Sequence, residues 1–126
     1  MNKKHLLRLL ALFFASSLVL AGCKPENVTV NIDATKLVGT WYALDKPQEF
    51  WRFDSGNNGE TWDESEDVHE GEGVNFNWLA TKDQLQLDFY GQMGQHVYFD
   101  YTFTAQNDTS FTWKDLYGNS RTFIRK

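Results

Sequence analysis

Gly39-Thr40-Trp41 and the run Arg121-Thr122-Phe123-Ile124-Arg125 decide the fold that this sequence predicts. Gly39 carries no Cβ, so the backbone enters a first strand there without a clash, and Trp41 supplies an indole large enough to plug a barrel. When an eight-stranded sheet closes on itself, its first and last strands lie side by side. We therefore expect the Arg125 guanidinium to stack on the Trp41 indole and close one end of a barrel, in a cation–π contact of about 0.5–2 kcal/mol.

Between these two stretches, short runs of alternating apolar and polar residues are separated by turn residues. The Asn-Gly pair in Ser55–Gly59 is typical of a hairpin turn, and no stretch has the 3.6-residue spacing of a helix. This pattern predicts an all-β fold with antiparallel strands, in a barrel or a sandwich. A count of eight favours an eight-stranded antiparallel up-and-down β-barrel. The predicted strands are 37–44, 49–54, 60–63, 74–78, 84–89, 97–104, 110–114 and 121–125.

The N-terminus has the pattern of an export signal. Basic residues within the first eight positions precede the apolar run Leu9–Leu20, which is shorter than the ~20 residues of a spanning helix. Leu20-Ala21-Gly22-Cys23 follows and resembles the lipobox of bacterial lipoproteins. The resemblance implies cleavage before Cys23, lipidation of that cysteine with palmitate or a similar acyl chain, and attachment to a membrane of the cell envelope. Lys24, in place of Asp, implies the outer membrane. The alternative is an ordinary signal peptide followed by a free cysteine.

These features divide the chain into a signal peptide (1–22), a lipidated tether (23–36) and a barrel domain (37–126). The tether is either a disordered spacer or a short strand that covers the barrel edge. Removing residues 1–22 deletes three of the 12 basic residues and leaves 9 against 17 acidic ones, a net charge of −8. An acidic domain does not fit nucleic acid, whose phosphates need a basic face. With a single cysteine, the chain has no intrachain disulfide.

The apolar phase of the strands predicts which side chains line the barrel lumen. These residues either line a ligand cavity or fill the interior completely, since aromatic side chains pack densely in a small barrel. The candidate ligand-binding residues are Trp51, Phe53, Trp62, Phe76, Trp78, Leu87, Phe89, Phe99, Tyr101 and Trp113.

The sequence offers little for catalysis. After cleavage two histidines remain, His69 and His96, and no nucleophile motif or phosphate-binding glycine loop occurs. Seven carboxylates lie within Glu60–Glu72, which predicts either a hard-cation site or a solvated loop at the barrel mouth. Their spacing does not match a known calcium loop, so we expect no metal, no cofactor and no enzymatic activity.

Together these motifs resemble small bacterial lipocalin-like lipoproteins, members of the calycins. The resemblance rests on the lipobox, Gly39-Thr40-Trp41, Phe53-Asp54-Ser55-Gly56, Phe76-Asn77-Trp78, and Phe123 with Arg125. It implies that Gly39, Trp41 and Arg125 close the barrel and that the lumen binds a small apolar or amphipathic ligand. Two departures from typical lipocalins are the short connection 45–48 and the expected lack of a helix after the barrel.

The second hypothesis is an interaction or inhibitor protein of the envelope with a filled barrel and no small-molecule ligand. Its contacts with another envelope protein would come from the acidic loop or from outward-facing aromatic side chains, namely Tyr42, Phe50, Tyr98 and Tyr117.

Overall fold

The computed structural model describes residues 28–91 and 93–126, so the predicted signal peptide and Cys23 lie outside the described residues. The described chain confirms the all-β prediction, because eight antiparallel strands close into a barrel in up-and-down order. One short helix, α1 (Ala34–Leu37), precedes them. The strands are β1 (Gly39–Ala43), β2 (Lys46–Phe53), β3 (Asn58–Asp63), β4 (Val74–Thr81), β5 (Gln84–Tyr90), β6 (His96–Gln106), β7 (Ser110–Lys114) and β8 (Ser120–Arg125).

The turn between β2 and β3 differs from the sequence prediction. The chain reverses at residues 54–57, where the Asp54 N–H donates to Asn58 O at 2.8 Å and Asn57 has a φ of 63°. Gly59 lies within β3, opposite Phe53, instead of forming the turn. A Cβ on Gly59 would collide with the backbone oxygen of Arg52 and would lie 2.6 Å from Phe76 Cζ. The glycine is therefore required by close packing against the neighbouring strand and an aromatic ring, and the prediction of an Asn58-Gly59 turn was wrong.

The segment 28–38 packs on one end of the barrel. The Val30 N–H donates to Phe103 O at 3.0 Å, and the Ile32 N–H donates to Lys82 O at 2.7 Å. α1 follows, with the Asp33 carboxylate accepting from the Thr35 N–H as its N-cap. Leu37, at the end of α1, is fully buried. Residues 28–36, which the sequence left as spacer or strand, are thus extended chain and helix fixed to the barrel.

The two ends of the barrel differ. We call the end that carries α1 and the turns 54–57, 82–83 and 107–109 the closed end. The opposite end, with the connections 44–45, 64–73, 91–95 and 115–119, is the mouth. The core cluster spans the lumen above α1, and its rings meet mostly edge to face. Its buried members are Leu37, Trp41, Ala43, Trp51, Phe53, Phe76, Trp78, Leu85, Leu87, Phe103, Phe111, Trp113 and Phe123.

Candidate functional site

At the closed end, Arg125 is held by a cation–π contact and by hydrogen bonds to backbone carbonyl groups. Its guanidinium carbon lies 4.2 Å from the centre of the Trp41 ring, and the two residues are direct partners in the β1–β8 register. Its Nε donates to Asp108 O at 2.7 Å and its Nη1 to Val38 O at 3.1 Å. The Trp41 indole N–H donates to Leu37 O at 2.8 Å, which satisfies the polar atom of this buried ring. The cation–π contact predicted from Gly39, Trp41 and Arg125 is therefore part of a hydrogen-bonded plug.

At the mouth the lumen opens into a cavity of about 410 Å³. This volume lies within the ~300–1,000 Å³ that is usual for small-molecule sites. The barrel wall contributes Trp51, Thr61, Val74 and Arg121, and the 64–73 loop contributes further lining residues. Since the core side chains fill the closed half, the interior is neither an empty cup nor completely filled.

Arg121 is the basic residue among the lining of the mouth cavity, which also contains the carboxylates of Glu49, Asp63, Glu66 and Glu72. Its Nη1 donates to Glu49 Oε2 at 2.8 Å and its Nη2 donates to Asp45 Oδ1 at 3.1 Å. The Trp51 indole N–H donates to the same Glu49 carboxylate at 2.8 Å. Partial burial alone would lower the pKa of Arg121, but the hydrogen bonds to Glu49 and Asp45 outweigh it and raise that pKa. The guanidinium therefore stays charged beside an apolar wall.

The wall next to Arg121 is aromatic. Arg121 is the register partner of Trp113, and Tyr101 stacks on the Trp113 ring with centroids 4.1 Å apart. Burial raises the pKa of Tyr101, and the nearby Arg121 opposes this shift without cancelling it. The phenol is therefore a neutral donor and acceptor at neutral pH. Phe99 lies nearer the rim of the mouth, in edge-to-face contact with Phe89.

The 64–73 loop is fixed to the barrel by Glu60, which was predicted to belong to either a cation site or a solvated acidic loop. Glu60 is only 2 % exposed. Its carboxylate accepts from the Gly71 and Gly73 N–H groups, each at 2.9 Å, and pairs with Arg52 Nη1 at 3.1 Å. The carboxylate therefore positions the loop whose residues line the mouth. An acidic residue flanked by Gly59 and followed by glycines at 71 and 73 was the only sequence signal for this role.

Trp62 lines the mouth cavity, as expected of a candidate ligand-binding residue, but it does so from the outer face of β3 and not from the lumen as predicted. It is the register partner of Phe50, whereas Thr61 pairs with the inward-facing Trp51. Trp62 stacks on Phe50 with centroids 5.5 Å apart, on the outer face of the barrel. It is nevertheless buried, because Gly73 of the loop packs against it. Trp62 is buried by the loop and is not part of the core cluster. The alternation of a short strand therefore assigned this apolar residue to the inward face, although it lies on the outer face.

The other nine candidate lumen residues face inward and divide into three groups by depth. Trp51, Phe53, Phe76, Trp78, Leu87 and Trp113 belong to the buried core cluster. Phe89 and Tyr101 are partly buried and pack against that cluster. Phe99 is exposed at the rim. Of these nine residues, Trp51 is the one that lines the mouth cavity.

The histidines lie apart. His96 Nδ1 is 2.9 Å from the Asp88 carboxylate, and His69 Nε2 is 3.2 Å from Asp67. Among residues 28–91 and 93–126, no three His, Cys, Asp or Glu side chains are grouped so as to hold a metal ion. The carboxylates of Glu60–Glu72 are thus spread along β3 and over its loop.

No protein-family model matches the chain. No curated protein and no solved structure matches it significantly. Within the described part of the chain, no helix is both long and apolar enough to cross a membrane.

Proposed function

We propose that the protein is a lipid-anchored lipoprotein of the cell envelope whose lipocalin-like barrel binds a small amphipathic ligand at its mouth. The observation that carries the proposal is the cavity of about 410 Å³ lined by both an indole and a guanidinium. An apolar group of the ligand would contact Trp51 and the upper lumen. Its polar group would meet Arg121 and Glu49, whose ion pair is 2.8 Å long and offers both a donor and an acceptor.

Two residues on β4 allow a matched test of this site. Val74 lines the mouth and is 54 % exposed, whereas Leu79 is 57 % exposed on the outer face of the same strand. Tryptophan at position 74 would fill the mouth without entering the buried core. Tryptophan at position 79 adds the same side chain to the outside of the barrel.

Native mass spectrometry of the full chain, extracted in mild detergent and incubated with an extract of the source cells, measures ligand retention. We expect a small-molecule adduct on the wild-type chain and on Leu79→Trp, and loss of most of it on Val74→Trp. Equal adducts on both variants would place the ligand outside the mouth. A wild-type chain without any adduct would favour the interaction function instead.

The anchor is tested separately. Cys23→Ser should release the chain from membranes, because an acyl anchor on that residue is the proposed attachment. The fraction of protein that pellets with membranes after a high-salt wash measures this release. A Ser variant that still pellets like wild type would refute the lipidation of Cys23.

A further inference from the structure

Strand β6 is longer than β7, so part of β6 pairs with β5 alone. β5 pairs with β6 along its upper half, from Gln84↔Thr102 to Tyr90↔His96. On the other side, the register with β7 begins only at Thr102↔Lys114. β7 ends there, and the chain turns away through 115–119 into β8. Within the described chain, residues 97–101 of β6 therefore have a strand on one edge only. We call this stretch the free edge.

The free edge offers backbone hydrogen bonds. In an antiparallel strand, alternate residues direct their N–H and C=O groups to opposite sides, so every second residue of 97–101 points these groups away from β5. The side chains here are also exposed, at 41 % for Val97, 55 % for Tyr98 and 46 % for Phe99. Exposed edges rich in β-branched and aromatic residues pair readily with another strand, and proteins usually protect them.

A groove runs along the free edge. It has a volume of about 360 Å³ and lies between residues 98–101 and the turn that follows β7. Tyr98, Phe99, Leu116 and Tyr117 contribute apolar surface, and the only charged residues among its lining are Asp100 and Asp115. Asp115 accepts from the Tyr117 and Asn119 N–H groups, which lower its pKa and keep it ionised. The groove is therefore apolar and acidic, with no basic side chain in its lining.

We propose that the free edge of β6 binds an extended basic peptide segment of another protein by strand addition. The peptide backbone would pair with residues 97–101, and its apolar side chains would cover Phe99 and Tyr101 on the inward face of β6. Its lysines or arginines would meet Asp100 on the outer face, with Asp115 across the groove. Charge complementarity selects this occupant over a second copy of the chain. A second copy would bring the same carboxylates and a net charge of −8 once residues 1–22 are removed.

This site goes beyond the ligand site of the mouth and is independent of it. None of the residues that line the groove is among those that line the mouth cavity. Val74→Trp should therefore leave peptide binding unchanged, and variants of the groove should leave the mass-spectrometric adduct unchanged. Failure of one proposal is thus distinguishable from failure of the other.

The probe is a fluorescent heptapeptide of alternating lysine and valine, titrated with the full chain in phosphatidylcholine nanodiscs. Its matched control is the same peptide with glutamate in place of lysine, and empty nanodiscs supply the background. We expect saturable anisotropy for the lysine peptide alone. Asp100→Lys should weaken binding at least about tenfold, whereas Asp67→Lys, an equal charge change on the exposed mouth loop, should change it by less than about twofold.

Hydrogen exchange on the same complex locates the contact. Alternate amides within 97–101 should become protected when the lysine peptide is bound, and amides of the mouth loop should not. Three results would each overturn the proposal: no saturable binding, equal weakening by Asp100→Lys and Asp67→Lys, or binding without protection at 97–101. A dimer of the peptide-free chain with protection at 97–101 would also overturn it, because the occupant would then be a second copy.

Discussion

Arg121 and Arg125 lie four residues apart on β8 and make different kinds of contact at the two ends of the barrel. Arg125 lies 4.2 Å from the Trp41 ring and donates to backbone carbonyls, which cannot move without unfolding the closed end. Arg121 lies 5.3 Å from the Phe123 ring and pairs with the carboxylates of Glu49 and Asp45, at the solvent-open mouth. Side-chain partners can exchange for a ligand, whereas backbone partners cannot. The contacts of Arg125 are therefore expected to stabilise the closed end, whereas those of Arg121 at the mouth can change.

The largest effect is expected at the closed end. Trp41→Ala should lower the free energy of unfolding by ~3–5 kcal/mol, because a fully buried indole is lost and a cavity remains. That is a large part of the ~5–15 kcal/mol by which a domain is stable. Urea unfolding of the chain carrying Cys23→Ser, followed by circular dichroism, measures it. A loss below ~1 kcal/mol would show that the plug is not what holds the barrel.

The next largest effect is expected at Glu60, a residue near the mouth that we expect to stabilise the fold. Glu60→Ala should cost ~2–3 kcal/mol, since two loop N–H groups lose their acceptor in a buried place. Glu70→Ala is the control, because Glu70 also pairs with Arg52, at 2.9 Å, but is exposed and should cost less than ~1 kcal/mol. Urea unfolding compares them, and limited proteolysis should cut the 64–73 loop faster in Glu60→Ala only. Equal losses of unfolding free energy in the two variants would show that Glu60 does not position the loop.

The smallest effect is a pH dependence shared by both ends. Hydrogen bonds lower the pKa of Asp33 and Asp83 at the closed end and of Asp63 and Asp115 at the mouth, mainly from Thr35, Thr29, Ser65 and Asn119 respectively. A carboxyl with a lower pKa in the folded state stabilises the protein above its unfolded pKa, and this contribution is lost as pH falls through the folded pKa. Stability should thus be level near neutral pH and fall below about pH 4.

The matched substitutions Asp33→Asn and Asp115→Asn check this pH dependence in thermal unfolding between neutral pH and pH 2.5. Each substitution should slightly reduce the loss of thermal stability at acidic pH. The two reductions should be similar, because both carboxylates accept from nearby N–H groups on exposed turns. A variant that loses more thermal stability at acidic pH than wild type would contradict the assigned direction of the pKa shift.

The closed end was predictable from sequence because barrel closure fixes which strands meet. Gly39, Trp41 and Arg125 needed only a strand count and the pairing of first with last strands. Strict alternation likewise identified the inward faces of β4 and β5. These features depend on the two-residue alternation of apolar side chains and on the number of strands, both of which can be read from local sequence.

The mouth was less predictable because its features depend on contacts between distant segments. Glu60 looked like one of many solvated acids, and its burial arises only when glycines of the 64–73 loop fold back onto it. Trp62 is buried on the outer face by the same loop. The free edge of β6 depends on the register between β6 and β7, which begins only at Thr102↔Lys114 and which the predicted strand ranges did not give.

The comparison of Arg121 with Arg125 is tested most directly by two double-mutant cycles with Trp41→Ala, measured by urea unfolding in one buffer. Arg125→Ala should cost ~1–2 kcal/mol and should couple to Trp41→Ala by at least ~0.5 kcal/mol, as contacting residues do. Arg121→Ala should add independently with Trp41→Ala, since its partners, the exposed Asp45 and the mostly buried Glu49, lie at the other end of the barrel. Additivity for Arg125, or equal coupling for Arg121, would contradict the division of the barrel into a structural end and a functional end.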